Sequence, residues 1–135
     1  MTTGDFIDGD KFAGNAGIEF LKVTSGGYAK VRMEIKPFHL NSGGVCHGGA
    51  IFTLADFAFA LAVNSCARLT LSITSSINFF RSESRGFLYA EARETFSSKR
   101  ISNYEVKITN EEGDLVASFC ATGYRKVIDS PIVPF

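Results

Sequence analysis

A single carboxylate lies inside a largely apolar stretch of the chain, GGVCHGGAIFTLADFAFALAVNS at residues 43–65. This carboxylate is Asp56, and its nearest neighbours are Ala55 and Phe57. A charged carboxylate is costly to bury unless it is paired or needed for chemistry, so Asp56 is a candidate nucleophile or general base. The structural alternative is a core aspartate that bonds to a neighbouring backbone group or hydroxyl.

The same stretch begins with His47, Gly48 and Gly49, where we predict that a helix starts. The first turn of a helix has unpaired backbone N–H groups and the positive end of the dipole, and glycine lets a ligand approach them. This junction could therefore stabilise a developing oxyanion, with His47 orienting the substrate carbonyl or the loop. Alternatively, the glycines only shape a tight loop and His47 bonds to loop carbonyls.

Other polar residues are weaker candidates. Asn41 is typical of a turn but could also position a water or a carbonyl group. Basic residues follow a predicted strand at Arg81 and Arg85, and another pair lies between strands at Lys99 and Arg100. These groups fit either solvated turns or a grip on the phosphates of an anionic ligand. A structural role is expected for His39 and for the three cysteines.

The spacing of the two main candidates constrains the assembly. Gly49 and Asp56 are seven residues apart, which is about 10 Å along a helix. An oxyanion donor and a nucleophile or base must both lie within about 3 Å of one reacting group. One helix can hardly achieve this, whereas two antiparallel copies could place Gly49 of one chain opposite Asp56 of the other. We therefore predict a homodimer with shared sites.

The elements that position these residues follow from the pattern of the chain. A helix is predicted from about Gly48 to Cys66 and should be buried on most sides, because apolar residues cover almost every face. Alternating or β-branched segments predict strands at 18–23, 28–35, 71–80, 87–96, 103–109 and 115–124. Residues 110–114 are a predicted hairpin loop. An antiparallel sheet curling round one long helix is the simplest α+β arrangement.

Length and composition are consistent with one domain over residues 1–135, with a core at about 18–126 and a frayed C-terminal tail. Fourteen basic and fourteen acidic residues cancel, so no overall field favours a nucleic acid partner. The apolar run at 50–67 is short and contains polar residues, which argues against a membrane span.

The cysteines indicate the compartment. They are three in number, lie far apart and form no C-x-x-C pair, which predicts reduced thiols in a cytoplasmic protein without a zinc site. The N-terminal segment MTTGDFIDGD has no basic segment followed by an apolar one, so a signal peptide is not expected.

The stretch LNSGGVCHGGAIFTLADFAFALAVNS closely resembles the signature of hotdog-fold acyl-CoA thioesterases of the phenylacetic-acid-degradation type, the PaaI-like group. The resemblance continues through SINFFRS, NYEVKITNEEGDLVASF and GYRK, and covers roughly residues 18–126. The spacing N-x-x-x-x-x-H-G-G-x-x-x-x-x-x-D is its specific part, and the later strands are looser.

The resemblance implies a hotdog fold and hydrolysis of acyl-CoA, usually with an aromatic or medium-length acyl group. It implies no metal and no cofactor beyond the CoA of the substrate, and it implies a homotetramer. By position, Asp56 matches the catalytic carboxylate, Gly49 an oxyanion donor through its N–H, and His47 and Asn41 a supporting pair. The residues implied to contact the CoA substrate are Gly48, Arg81, Ser98, Lys99, Arg100 and Arg125.

Two departures from the family leave the acyl group open. Asn78 and Ser82 stand where the family often has Asp and Pro, and Gly43 stands where a His can occur. Two other functions remain possible on the same fold. One is a dehydratase or hydratase acting on acyl thioesters with His47 and Asp56 as acid and base, and the other is a non-catalytic acyl-CoA-binding module. The presence of Asp56 argues against the binding module.

Overall fold

One antiparallel sheet and one long helix dominate the computed structural model, which describes residues 2–65 and 68–129. The helices are α1 (Thr3–Gly9), α2 (Lys11–Asn15) and α3 (Gly48–Asn64), with a short 3₁₀ turn at Pro37–His39. The strands are β1 (Ile18–Thr24), β2 (Tyr28–Glu34), β3 (Arg68–Phe79), β4 (Phe87–Ser97), β5 (Ile101–Thr109) and β6 (Leu115–Asp129).

The six strands form a single sheet in the order β1-β2-β4-β5-β6-β3, with antiparallel pairing between all neighbours. The predicted antiparallel sheet around one helix is thereby confirmed. Each predicted strand is present, and the hairpin loop at 110–114 joins β5 to β6. The last strand, β6, extends beyond its predicted end at residue 124 and continues to Asp129. The predicted helix end at Cys66 and the remaining tail lie outside the described residues.

The helix α3 packs against the buried face of the sheet, as its apolar composition predicts. Aromatic rings join the two layers edge to face, with centroids 5.2 Å apart for Phe52 and Phe119 and 5.5 Å apart for Phe59 and Tyr104. Alternate residues of the central strands face the helix because side chains alternate along a strand. Fully buried members of this core are Val31, Met33, Leu54, Ala58, Leu61, Leu88, Ala90, Val106 and Ile108.

The two short N-terminal helices were not predicted from the sequence. Thr2 and Asp5 form a reciprocal capping box at the start of α1, and the Asp10 carboxylate caps α2 by accepting the Ala13 N–H at 3.0 Å. Ala13 is buried and belongs to the core. Helices of seven and five residues are too short to show a helical period in the sequence, so only their caps mark them.

The carboxyl end of α3 is closed by buried polar side chains. The Asn64 amide donates to the carbonyls of Ala60 and Thr70 at 3.0 and 3.1 Å, and its oxygen accepts the Thr70 N–H at 2.9 Å. The Ser65 hydroxyl reaches the carbonyls of Ala62 and Thr24 at 2.7 and 3.1 Å. These bonds fix the end of α3 to β1 and β3. No helix among the described residues is long and apolar enough to cross a membrane.

Candidate functional site at the amino end of the central helix

His47 is the N-cap of α3 and organises its first turn. The His47 carbonyl accepts the N–H groups of Ala50 and Ile51 at 2.9 and 3.2 Å, and Nδ1 of its ring accepts the Gly49 N–H at 2.8 Å. The Gly48 N–H has no hydrogen-bond partner among the described residues. In this structure the Gly49 N–H, which we predicted as the oxyanion donor, is therefore engaged by the imidazole, and the Gly48 N–H is open.

The same hydrogen bond determines the tautomer of His47. Because Nδ1 accepts a proton donor, the proton of the neutral ring lies on Nε2. The side chain of His47 is exposed. Its Nε2–H is therefore a donor that a ligand at the start of α3 can use.

The two glycines that follow His47 allow close packing. A Cβ on Gly49 would lie 2.9 Å from Nδ1 and 3.1 Å from Cε1 of His47, so a larger residue would displace the imidazole. A Cβ on Gly48 would lie 3.1 Å from the Phe79 ring. The glycines do more than shape a loop, because they admit the imidazole on one side and an aromatic ring on the other.

Asp56 lies in the middle of α3 and is half-buried. Its carboxylate forms no hydrogen bond or ion pair with any described residue, so the expected partner of a structural core aspartate is missing from this part of the chain. Burial raises the pKa of Asp56 above its ordinary value, and the negative charge of Asp10 raises it further. A carboxylate with a raised pKa is a stronger base at the pH where it is ionised, as a nucleophile or general base requires.

Asn41 has the turn role that its residue type suggests. Its side-chain oxygen accepts the N–H groups of Gly43 and Val45 at 2.9 and 3.3 Å, which shapes the loop before His47. The amide nitrogen of Asn41 donates to none of the described residues, and the side chain is exposed. Its N–H groups are therefore open to a water or a carbonyl.

The turn between β4 and β5 presents two exposed cations. Arg125 holds this turn by donating from Nη1 to the Ser98 carbonyl at 2.6 Å and from Nη2 to the hydroxyls of Ser97 (3.2 Å) and Ser102. Lys99 and Arg100 are exposed, and their side chains have no hydrogen-bond or ion-pair partner in the described chain.

These contacts divide the basic residues that we predicted to contact CoA into side chains that are bound within the chain and side chains that are open. The Arg125 guanidinium is already bound within the chain, so it supports the turn. Arg81 faces Asp114 at 3.7 Å in an exposed ion pair. The side chains of Lys99 and Arg100 are the two that remain open to an anion.

The turn and the start of α3 lie at opposite ends of the sheet. Phe79, beside Gly48, pairs with Ala117 of β6, whereas Ile101 pairs with Tyr124. The seven residue steps along β6 from Ala117 to Tyr124 span about 23 Å. Within one chain the structure therefore does not bring Lys99 and Arg100 next to His47. It also keeps Gly49 and Asp56 on one uninterrupted helix, at a separation of about 10 Å.

Sequence reasoning missed an exposed apolar strip beside this site. β3 is an edge strand, and the exposed fractions of Leu71, Ile73 and Phe79 are 51%, 57% and 50%. Phe80, which follows the strand, is 58% exposed. An edge strand with exposed apolar side chains is a template for pairing with another chain. The β-branched and aromatic composition of residues 71–80 is the signal that indicated a strand, but it does not reveal the exposure.

Of the described thiols, one is buried and the other is exposed on the sheet. Burial raises the pKa of Cys46 to about 11, so its thiol stays protonated at neutral pH. Cys120 is exposed on β6, and Cys66 lies outside the described residues. In the described part of the chain, no three His, Cys, Asp or Glu side chains cluster as metal ligands.

Comparison with known proteins identifies the family. The family description "Thioesterase superfamily" matches residues 43–117. The acyl-coenzyme A thioesterase PaaI of Escherichia coli is 33% identical over 119 residues, which is 87% of this chain and 84% of that protein. A relative from Archaeoglobus fulgidus that is provisionally named an esterase is 44% identical over 106 residues, 78% of this chain and 69% of that protein.

Solved structures agree with the sequence comparison. The structure of the E. coli PaaI protein from the phenylacetic acid degradation operon matches with a TM-score of 0.87 and 30% identity, over 98% of this chain and 94% of that chain. A hypothetical thioesterase from Streptococcus pneumoniae, solved with coenzyme A, matches with a TM-score of 0.83 and 27% identity, over 90% of this chain and 96% of that chain.

Proposed function

The chain belongs to the thioesterase superfamily and has the hotdog fold, and on this basis we propose that it hydrolyses acyl-CoA thioesters to a carboxylic acid and free CoA. The observation that carries the proposal is Asp56, a half-buried carboxylate with a raised pKa and no partner in the described chain. A binding module would gain nothing from keeping such a group, because it makes the folded state less stable.

Asp56 takes part in thioester cleavage in one of two ways. As a nucleophile, its carboxylate adds to the carbonyl carbon, the C–S bond breaks, CoA leaves as a thiolate, and water then hydrolyses the mixed anhydride. As a general base, Asp56 takes a proton from a water that adds to the same carbon, after which the C–S bond breaks and CoA leaves as a thiolate. Thiolate is a good leaving group, so neither route needs a strong general acid.

The oxyanion that forms on the carbonyl needs hydrogen-bond donors at the start of α3. The open Gly48 N–H and the Nε2–H of His47 supply two of them. The Gly49 N–H becomes a direct donor only when Nδ1 of His47 releases it, and until then it holds the imidazole. Asn41, with its open amide N–H groups, contributes a further donor to the thioester or to the attacking water.

The site is shared between two chains. The separation of about 10 Å between Gly49 and Asp56 cannot be closed within one straight helix. Pairing of the exposed β3 edge with the β3 edge of a second copy would cover Leu71, Ile73 and Phe79. Because a Cβ on Gly48 would lie 3.1 Å from the Phe79 ring, the start of α3 lies close to the β3 edge. An antiparallel pairing of two β3 edges would bring the two α3 helices near each other in antiparallel directions. The homotetramer that the resemblance implies remains a prediction.

Lys99 and Arg100 hold the phosphates of the CoA nucleotide. Both side chains are exposed and open, on a turn that Arg125 and the Ser98 backbone keep in place. Arginine and lysine both suit phosphate groups. Arg81 is a secondary contact for CoA, because its guanidinium must first break its ion pair with Asp114.

The proposal also covers the acyl group, the cofactor requirement and the compartment. Apolar side chains beside Asp56 suit an aromatic or medium-length acyl group, and the structurally similar E. coli PaaI protein comes from the phenylacetic acid degradation operon, which supports the aromatic class. The reaction uses no cofactor, since the carboxylate and the N–H donors supply the chemistry. The wide spacing of the three cysteines and the lack of a C-x-x-C pair favour the cytoplasm.

A screen of acyl-CoA esters with detection of the free thiol tests this function. We expect thiol release from benzoyl-type, phenylacetyl or medium-chain acyl-CoA, with equal amounts of free acid. Hydration of an enoyl-CoA without thiol release would favour the hydratase alternative. Tight binding of every ester without release of thiol would instead favour the binding module.

A further inference from the structure

His39 lies outside the proposed catalytic set, yet its side chain is almost fully buried, with an exposed fraction of 4%. Both nitrogens of its ring have backbone partners. Nδ1 accepts the Lys36 N–H at 2.8 Å, and Nε2 lies 2.6 Å from the Ala16 carbonyl. Because the Lys36 N–H is a donor and the Ala16 carbonyl is an acceptor, the ring is neutral in this arrangement and carries its proton on Nε2.

The backbone of the same residue continues the connection toward the site. The His39 carbonyl accepts the His47 N–H at 2.7 Å, and Nδ1 of His47 accepts the Gly49 N–H at 2.8 Å. Three successive hydrogen bonds thus lead from Ala16, at the end of α2, through His39 and His47 to the first turn of α3. We define this series as the His39 frame.

The loop enclosed by the frame is short and internally bonded. Leu40 pairs with Cys46 as an isolated bridge, and the Asn41 N–H donates to the Val45 carbonyl at 2.8 Å. Cys46 is also held by the Glu83 carbonyl at 2.8 Å. The loop is therefore stiff, and a shift of His39 would also shift Asn41 and His47.

We propose that His39 is a positioning residue for the thioester site, which fixes His47, and through it the donors of the first turn of α3, against the N-terminal helix α2. This inference rests on the proposed function. The ring joins segments 23 residues apart in the chain. The His39 frame ends at the first turn of α3, which is the candidate oxyanion site. A misplacement of about 1 Å in such donors costs up to about a hundredfold in rate.

Three substitutions dissect the frame. His39→Leu removes both ring bonds and keeps an apolar side chain in the buried site. His39→Gln keeps an N–H donor near the position of Nε2, within reach of the Ala16 carbonyl, whereas His39→Asn is shorter and keeps only an acceptor near Lys36. Asn64→Ala is the matched control, because it removes buried hydrogen bonds at the opposite end of α3.

We expect His39→Leu to lower kcat about tenfold while KM for acyl-CoA changes less than about twofold, because the Lys99–Arg100 turn is untouched. His39→Gln should recover kcat to within about threefold of wild type, and His39→Asn should resemble His39→Leu. Asn64→Ala should lower the melting temperature by a similar amount and leave kcat unchanged well below that temperature. An unchanged kcat in His39→Leu, or the same loss of kcat in Asn64→Ala, would overturn the proposal.

A second readout does not depend on turnover. Amide hydrogen exchange of Gly49, followed by NMR, should accelerate at least about tenfold in His39→Leu and stay unchanged in Asn64→Ala. If wild type cleaves no thioester, the proposed function fails, and this exchange rate still decides whether His39 holds the turn. If His39→Leu does not fold, equal kcat and exchange in His39→Gln and His39→Asn would overturn the proposal.

Discussion

At its carboxyl end α3 is closed by buried side chains, whereas at its amino end it meets two glycines and an exposed histidine. Asn64 and Ser65 are nearly fully buried, and their side chains bond to backbone carbonyls of α3, β1 and β3. At the other end, Gly48 has an open N–H and His47 has an open Nε2–H. Buried polar groups that are fully bonded stabilise a fold, while donors left open on a rigid element are available to a ligand.

The comparison indicates that the carboxyl end of α3 serves to stabilise the fold, whereas its amino end carries the candidate chemistry. Asp56 stands between them as the one carboxylate of α3, and its pKa is raised. Changes at the carboxyl end should therefore act on the melting temperature, and changes from Asp56 to His47 should act on the rate.

The largest effect is expected from Asp56→Asn, which keeps the shape of the side chain and removes its charge. Turnover should fall at least about a hundredfold, the scale of a lost base or nucleophile. The fold should remain intact, as judged by circular dichroism. Asn64→Ala is the counterpart at the closed end, with a lower melting temperature and a normal rate. Near-normal turnover in both Asp56→Asn and Asp56→Ala would remove the carboxylate from the mechanism.

Gly49→Ala should have the next largest effect. The added Cβ would meet the His47 imidazole at 2.9 Å and displace it, so kcat should fall about tenfold or more. Gly14→Ala in α2 is the matched control, because a Cβ there meets nothing within 4 Å. It should leave kcat unchanged and, if anything, raise the melting temperature, since alanine favours a helix over glycine. Equal kcat values for the two variants would show that the imidazole position does not matter.

A third prediction concerns binding at the far end of the sheet. Lys99→Ala and Arg100→Ala should raise KM for acyl-CoA about fivefold with little change in kcat, because a lost phosphate contact removes uniform binding. A short acyl thioester without the nucleotide serves as the comparison substrate, and its KM should not change. If both substrates are affected equally, the turn does not bind the nucleotide.

The smallest effect is expected in the pH dependence. Burial, and then the charge of Asp10, raise the pKa of Asp56 in the folded state. A raised folded-state pKa gives stability that is present at low pH and lost as the pH rises through that pKa. Asp56→Asn should therefore raise the melting temperature at neutral pH, and the gain should vanish below the ordinary aspartate pKa of 3.8.

Asp10→Asn tests the smaller of the two causes. It keeps a capping oxygen for Ala13 and removes the charge, so the acidic limb of the kcat/KM profile should move to lower pH. Asp8→Asn, on the same surface groove of α1 and α2, should leave that limb in place. A limb that moves equally in both variants would mean that the effect is a general change in surface charge.

The fold was largely predictable because its main signals are local. Alternation along the strands and the long apolar run of α3 each act within one segment, and the resemblance was carried by residues close together around His47. The caps at Thr2 and Asp10 were also visible in the sequence, but α1 and α2 are too short for their period to show. Prediction of an antiparallel sheet needed only the rule that one helix must be covered, whereas the strand order β1-β2-β4-β5-β6-β3 was not predicted.

The parts that sequence reasoning missed depend on distant contacts. The sequence predicts only a structural role for His39, because no pattern indicates its partner Ala16, 23 residues away in the chain. The resemblance implies a CoA contact for Arg125, and the sequence does not reveal that its guanidinium also meets Ser97, Ser98 and Ser102 across the β4–β5 turn. No pattern in a single sequence reports which donors are already engaged.

The central claim is that each site combines the open amino end of α3 from one chain with Asp56 of another, and mixing two inactive variants tests it most directly. Asp56→Ala and Gly49→Val, each inactive alone, are dissociated together and reassembled, with subunit exchange confirmed by mass. In a symmetric dimer about half of the random pairs are hybrids, each with one complete site, so about a quarter of wild-type activity should return. If exchange is complete and no activity returns, the site lies within one chain and the shared-site account is wrong.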